Sequence, residues 1–469
     1  MSAQPAPQPG AARDYPALAA ALEALRAGRP VLVLDDEDRE NEGDVILAAE
    51  VLTPEWMAWT IRHTSGYVCA PMPAERAEAL ALPLMVRDNA DPFRTAYTIT
   101  VDAAQGVTTG ISAADRTHTL RTLADPAATP EALVRPGHVV PLRARAGGVL
   151  ERPGHTEAAV DLCRLAGLEP VGVIAELVHD DGTMMRADGV RALAAEHDLP
   201  VLTIEALRAW RTVHDRLDAV AAARLPTLHG EFTAHACLDR LSGVEHLALV
   251  APGVDPAGVV PVRVHSECLT GDALGSLRCD CGAQLEDALA DAQARAGVVL
   301  YVRGHEGRGI GLAAKIAAYA RQDAGADTVD ANTELGLPVD SREYAVAAAM
   351  LAHLGVERVE LTTNNPAKVD ALRALGVDVA ATRPSVVGVT EHNLGYLTTK
   401  RDRMGHTLPA RLDVSHATSA APRSELSERP GTRDGGSKPS HPAIDPHPTT
   451  DTTDPAGAAE RSRPHGGDA

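Results

Sequence analysis

VLVLDDEDRENEGDVILAAE (31–50) reads as two short apolar strands separated by an acidic loop. VLVLD (31–35) and VILAAE (45–50) are the continuous aliphatic runs of strands buried on both faces. Outward from there, strand and helix patterns alternate. Thr53-Pro54 opens a helix toward Thr64, with Thr as N-cap and Pro in the first turn. Thr156 reads as the N-cap of a helix EAAVDLCRLAG closed by Gly167, and VGVIAELV (171–178) as a strand. Helices follow near 188–197 and 204–222. Apolar order fades over 214–228, where a domain boundary is placed.

The second half resumes with LALVAPG (247–253), PVRVHS (261–266), a long helix near 283–296 and the strand VVLYVRG (298–304). SREYAVAAAMLAHLG (341–355) reads as a helix ending at Gly355, with Asp340 and Glu343 as a capping box at its start. Asn365-Pro366 starts another helix, and NLGYLTTKRDRMGH (393–406) is a basic closing segment whose plain alternative is a solvated terminal strand and turn. The fold class expected is α/β (α+β), two mixed strand–helix layered domains in tandem. The domains span 14–213 and 214–412, between disordered tails at 1–13 and 413–469.

Of the 469 residues, 45% are hydrophobic and only 3% aromatic, so two cores must rest on Ala, Val, Leu and Ile. A formal net charge of −20 makes the chain a poor general binder of nucleic acid or anionic membrane. Phosphate substrates would need local Arg and Lys. Cys69, Cys163 and Cys237 lack disulfide spacing and read as buried free thiols. No apolar run is long enough to span a bilayer and none has signal-peptide form, so a cytoplasmic setting is expected.

The most specific chemistry lies in RVHSECLTGDALGSLRCDCG (263–282). Cys268, Cys279 and Cys281 are spaced for chelation, since Cys279 and Cys281 are too close in sequence for an ordinary disulfide. Three thiolates favour a soft ion, Zn2+ above all, and leave one coordination position for water, as in a hydrolytic centre. The glycine turn in YVRGHEGRGIGL (301–312) can offer N–H groups to a phosphate, and its length could bring His305 near a nucleotide. In the first half, the acidic loop with Gly154-His155-Thr156 offers oxygen and imidazole ligands suited to Mg2+ or Mn2+. Arg39, Arg152 and the helix start after Thr156 could hold a phosphate.

RENEGD, TGISAADR (109–116), RPGHVVPLRARAGGVLERPGHTEA (135–158) and ELVHDDG (176–182) together resemble 3,4-dihydroxy-2-butanone 4-phosphate synthase. That resemblance implies conversion of ribulose 5-phosphate into dihydroxybutanone phosphate and formate. It implies Glu40 and His155 as ligands of Mg2+ or Mn2+, and Arg39, Glu40, Asp44, Arg152, Pro153, Gly154, His155, Thr156 and Glu176 as substrate-binding. His138 and Glu176 would move protons.

RVHSECLTGD, SLRCDCG, EGRGIGL, DSREY, TNNPAKV and YLTTKRDRMGH, in that order, resemble GTP cyclohydrolase II. The implied reaction opens the imidazole ring of GTP. It releases formate and pyrophosphate and leaves a 2,5-diamino-6-ribosylamino-pyrimidinone 5'-phosphate. Cys268, Cys279 and Cys281 would hold Zn2+. Arg263, Val264, His265, Ser266, Glu267, Gln284, Glu306, Gly307, Arg308, Thr328, Thr363 and Lys368 would bind GTP. Asp340 would accept a proton and Arg342 would be catalytic; a guanidinium is a poor nucleophile, so stabilising phosphoryl charge suits Arg342 better. The resemblance also implies a homodimer. Two alternatives stay open, a chain active in only one half and a GTP-binding regulator without turnover.

Overall fold

Val31–Leu34 and Gly43–Ala48 form antiparallel strands β1 and β2, joined by the acidic loop. The structure, a computed structural model, describes residues 15–414. The expected tails, 1–13 and 413–469, lie outside the described residues but for Asp413 and Val414. Five more strands complete the first sheet: β3 (Cys69–Met72), β4 (Val101–Ala103), β5 (Leu133–Arg143), β6 (Gly172–Glu176) and β7 (Val201–Thr203). Their order is β4-β5-β3-β6-β2-β1-β7, with parallel pairs β3–β5 and β1–β7 in an otherwise antiparallel sheet. Both faces are covered. Leu32, Val45, Leu47, Val173 and Ala175 point into one core, and Val31, Val33, Ile46, Cys69 and Ile174 into the other. That double burial explains why these strands read as unbroken aliphatic runs.

The second sheet contains β8 (Leu217–Thr227), β9 (Gly230–Asp239), β10 (Glu245–Val250), β11 (Val259–Ser266), β12 (Val298–Val302), β13 (Arg358–Thr362) and β14 (Asp378–Arg383). Its order is β14-β13-β11-β12-β10-β9-β8. β12, β11, β13 and β14 run parallel, so β11, β12 and β13 end at the same edge. Loops leaving that edge converge, the usual place for a ligand in an open sheet of this kind. The helix Ala345–His353 packs on one face, and the helix Cys281–Arg295 lays Ala288 and Ala292 on the other. Among the described residues no helix is long and apolar enough to cross a membrane.

Thr53 caps its helix as expected, accepting from the Trp56 N–H, and Gly167 closes Ala166 in the left-handed region. Four local expectations differ. The helix after residue 204 ends at His214, and the alanine-rich stretch beyond it is β8, because a continuous ladder to β9 outweighs alanine's helix propensity. The helix expected to be capped by Thr156 starts two residues earlier, at His155, with Gly154 as N-cap. Guanidinium nitrogens of Arg152 and Arg39 would lie 2.5 and 3.0 Å from any Cβ at 154, so a side chain there would have to displace both arginines. Asp340 and Glu343 form no capping box, since the helix starts at Ala345. Asp340 instead bonds Arg342, and Glu343 bonds Arg216. Finally, 393–406 holds a helix, Leu394–Met404, ended by left-handed Gly405.

The expected junction at 213/214 lies in the last turn of the helix Ile204–His214. Asp215, just beyond, is bound by Arg211 at 2.9 Å and Arg240 at 2.8 Å, and also by Arg164. In β5, Gly137 presses against β4, and a Cβ there would sit 2.0 Å from the Val101 carbonyl carbon. Gly137→Ala should therefore force the β4–β5 pair apart and cost roughly 3 kcal/mol. All three tryptophans, Trp56, Trp59 and Trp210, lie in the first half. A lowered urea midpoint of their fluorescence transition is the expected result.

Candidate active sites

The first site is built on one face of the first sheet. Asp44 on β2 stands opposite Glu176 on β6. The pairs Cys69–Ile174 and Cys69–Val140 carry the same row to Tyr67 and then to His138 on β5. With strands about 4.8 Å apart, His138 lies roughly 10 Å from Glu176 along this row. His155 enters from above, at the first turn of the helix His155–Ala166.

Around His155 the side chains are of the kind that could hold a cation. Its Nε2 lies 3.2 Å from the Val33 carbonyl, which only a protonated ring nitrogen can satisfy. The lone pair on Nδ1 then faces carboxylate oxygens of Asp44 at 3.6 Å and Glu40 at 3.9 Å. Burial holds the imidazole down at about 4, so it stays neutral. Asp44 Oδ1 is buried with no partner, and burial followed by the Glu176 and Glu40 charges pushes its carboxyl well up. Ligand atoms of Asp35, Glu40 and His155 all lie within 4.8 Å of one another. A hard divalent cation would suit this oxygen-and-imidazole set.

Asp35 was not singled out in the sequence, where it reads as a strand end and the first residue of the acidic loop. It organises the loop, accepting from the N–H groups of Glu40 (3.1 Å) and Glu42 (2.8 Å) and from Arg39 (2.9 Å). Arg39 also pairs with Glu40 and stacks on Phe93. Arg152 bonds Glu157 at 2.6 Å and Thr95 Oγ1 at 3.0 Å, beside Pro153, Gly154 and Thr156. Glu176 accepts from Ser65 Oγ at 2.7 Å. His138 Nδ1 meets Asp102 Oδ2 at 2.7 Å, which leaves Nε2 free on a half-exposed ring. Gly110, from TGISAADR, covers this pair, since any Cβ there would sit 2.1 Å from Asp102 Oδ2. Asp115 of the same motif holds the turn through Thr108 and Gly110.

The second site opens where β11, β12 and β13 end. Cys268 follows β11, while Cys279 and Cys281 start the helix Cys281–Arg295. Their sulfurs lie within 4.8 Å of one another, Cys268 to Cys279 at 3.7 Å. Gly271 makes room for them: a Cβ there would approach the Cys279 and Cys268 sulfurs to 2.8 and 3.1 Å. Bonds from Cys279 and Cys281, then the nearby Lys315 ammonium, hold the Cys268 thiol far below its ordinary range. Sharing with Cys268 pushes Cys279 up to about 11 and Cys281 well above the usual thiol range. One negative charge thus serves three sulfurs, and a thiophilic divalent ion would let all three ionise.

Lys315 Nζ lies 3.1 Å from Cys268 Sγ and pairs with Glu306, whose other oxygen accepts from Leu269 N–H at 2.6 Å. A lone lysine on an otherwise apolar helix face was the available, unused signal for it. Asp272 anchors the loop through His265 (3.0 Å), Tyr301 (2.8 Å) and Cys268 N–H (2.9 Å). Of the residues expected to bind nucleotide, Arg263, His265, Ser266, Glu267, Gln284, Gly307, Arg308, Thr328, Thr363 and Lys368 all line one pocket, together with Arg342 and the three cysteines. Glu306 and Asp340 stand just behind, bonded to Lys315 and Arg342. Val264 is different. Strand alternation turns its side chain into the core opposite Arg263 and His265, and only its carbonyl contributes, holding Lys368 Nζ at 2.7 Å.

The pocket is locally cationic in an acidic chain. Burial first, then Arg263, Arg342 and Lys400, push the Lys368 amine well below its ordinary value. Both terminal nitrogens of Arg308 are buried without a hydrogen-bond partner. His305 does line the pocket, held at about 4 by burial and then by Arg342 and Lys368. A polyanion entering here would meet unpaired donors and repelling cations at once.

Residues 19–210 match the 3,4-dihydroxy-2-butanone 4-phosphate synthase family and residues 218–384 the GTP cyclohydrolase II family. The riboflavin biosynthesis protein RibBA of Salinispora arenicola is 57% identical over 390 residues, covering 83% of this chain and 93% of that protein. RibBA of Nocardia farcinica is 55% identical over 393 residues, covering 83% and 95%. A solved 3,4-dihydroxy-2-butanone 4-phosphate synthase in complex with two magnesium ions is 51% identical, covers 40% of this chain and 92% of that one, and gives a TM-score of 0.39.

The orphaned Asp44 oxygen gives a direct test. A divalent cation should raise the thermal midpoint read by tryptophan fluorescence, since it binds only the folded cluster. In Asp44→Asn the metal-free midpoint should rise, because a repelling buried carboxyl is gone, and the gain on adding the cation should shrink.

Proposed function

This chain belongs to the family of bifunctional riboflavin biosynthesis proteins, a 3,4-dihydroxy-2-butanone 4-phosphate synthase joined to a GTP cyclohydrolase II, and from that premise we propose which of its residues carry each reaction. Residues 14–213 act on ribulose 5-phosphate and 214–412 on GTP, each reaction releasing formate. The observation that carries this division is the pair of dissimilar ligand clusters, one of oxygen and imidazole and one of sulfur.

In the first site Glu40 and His155 hold Mg2+ or Mn2+, with Asp35 or Asp44 completing the set. The bound cation would polarise the sugar oxygens and so acidify the neighbouring C–H. Arg39 and Arg152, with Pro153, Gly154 and Thr156 at the helix start, bind the phosphate. Glu176, held by Ser65 and opposite Asp44 across the sheet, serves as a base. His138 keeps Nδ1 on Asp102 and exchanges protons through Nε2. Its roughly 10 Å separation from Glu176 assigns the two groups to different positions on the substrate.

In the second site Cys268, Cys279 and Cys281 hold Zn2+, which would lower the pKa of a bound water toward neutrality. Lys315 steadies the Cys268 thiolate, and Arg263, Arg308 and Lys368 receive the nucleotide. Asp340 accepts a proton, while Arg342, charged and clasped by Asp340 at 2.9 Å, stabilises phosphoryl charge.

We also assign a homodimer built through the first half. Leu84, Met85, Val86 and Phe93 are exposed apolar residues on the stretch that includes the Phe93 ring beneath Arg39, an arrangement suited to burial against a second copy. The six free cysteines suit a cytoplasmic setting.

Formate assays with each substrate separate the sites. Cys268→Ser should abolish release from GTP and leave release from ribulose 5-phosphate intact, and His155→Ala should do the converse. Loss of both activities in either folded variant would refute the two-site assignment.

A further inference from the structure

The residues matched to the cyclohydrolase family are 218–384, and both the YLTTKRDRMGH motif (396–406) and part of the pocket lie beyond them. Tyr396, Lys400, His406 and Leu408 line it from beyond that limit. The stretch 385–408 runs as a strap across three pocket-forming elements. Ser385 exchanges bonds with Asn364, at the end of β13, and Thr407 N–H returns to the Asn364 carbonyl at 2.8 Å. Gly388 crosses the start of the helix Cys281–Arg295 so closely that a Cβ would lie 2.4 Å from Ala283 Cβ. Arg403 bonds Asp327 and Asp330, at the start of the helix carrying Thr328. The fully buried Asn393 fixes the turn, bonding Gly388 at 2.8 Å and Thr390 at 2.9 Å.

Lys400 is the point where this strap meets the chemistry. Its Nζ bonds Asp280 Oδ1 at 2.8 Å, and Asp280 sits between two of the three cysteines. Asp280 Oδ2 accepts from Gln284 at 2.6 Å, Gln284 accepts from Arg263, and Arg263 reaches the Thr362 carbonyl at 3.1 Å. A single bonded chain thus runs from the strap, past the sulfur loop, to the end of β13. Lys400 Nζ also lies 4.4 Å from the centre of the Tyr396 ring, which Arg308 approaches from 5.7 Å.

We propose that the strap 385–408 is an integral wall of the purine nucleoside triphosphate pocket, and that Lys400 is a positioning residue that fixes the sulfur loop, Gln284 and Arg263 in register through Asp280. This deepens the assignment of GTP to the second site and rests on it. Removing the ammonium leaves Asp280 buried without its counter-ion, so Gln284 and Arg263 lose their fixed orientation. The metal stays, because Lys400 bonds none of the three sulfurs.

The test uses the full chain, with GTP and ribulose 5-phosphate assayed separately and sulfur-bound metal counted by elemental analysis. In Lys400→Met, kcat for formate from GTP is expected to fall by about 30-fold or more, with activity on ribulose 5-phosphate and metal content unchanged. Lys400→Arg should recover most of that loss. Asp280→Asn combined with Lys400→Met should be no worse than Lys400→Met alone, since both break one link. An unimpaired Lys400→Met, a Lys400→Arg as inactive as the methionine variant, additive losses in the double variant, or loss of metal from Lys400→Met would each overturn the proposal. A wild-type chain that releases no formate from GTP would instead refute the assignment of the site itself.

Discussion

Three sulfur atoms within 4.8 Å of one another cannot all be anionic unless a cation joins them, and the second half of the molecule is arranged around that constraint. Gly271 clears the space, Asp272 fastens the loop, and Lys315 supplies the positive charge nearest Cys268. The first half meets the same constraint with harder donors. His155, pinned by Val33, aims a lone pair at carboxylates that repel one another. In each half the protein positions ligands at a cost in charge and desolvation that binding of an ion would relieve.

The two sites differ in how they treat charge around the ion. The first is rich in carboxylates, so in the proposed assignment a bound cation would attract the sugar phosphate, aided by Arg39 and Arg152. The second lines the pocket with Arg263, Arg308, Arg342, Lys368 and Lys400, enough to reverse locally the sign of a chain carrying −20 overall. Lys368, bonded to a backbone carbonyl and without a carboxylate partner, has its amine pushed well below the ordinary value by burial and then by Arg263, Arg342 and Lys400, and an arriving anion would favour its charged form.

Much of this was legible in the sequence because the chemistry is local. The three cysteines, the acidic loop, Gly-His-Thr and the glycine turn are short motifs, and the expected nucleotide-binding residues gather in one pocket, with Val264 turned away by simple strand alternation. What escaped was set by distant partners. Residues 217–222 look helical in isolation, and only the ladder to β9 makes them strand. Asp340 and Glu343 have capping spacing, but Arg342 and Arg216 claim them first. Lys400 sits in a segment that reads as solvated, and its value appears only when the strap returns to Asp280, 120 residues earlier. Tertiary contacts decide such cases, and sequence spacing carries no trace of them.

The seam between the halves is not where the motifs divide. Asp215 is shared by Arg164 and Arg211 from one side and Arg240 from the other, while Val213 and Leu217 pack against the second core. Anyone wishing to express either catalyst alone would have to choose which fragment inherits this carboxylate. The fragment without it would lose a bonded partner of Arg164 and Arg211, or of Arg240. Fusion here is more than a tether: the joint is itself a small piece of folded structure, owned by neither enzyme.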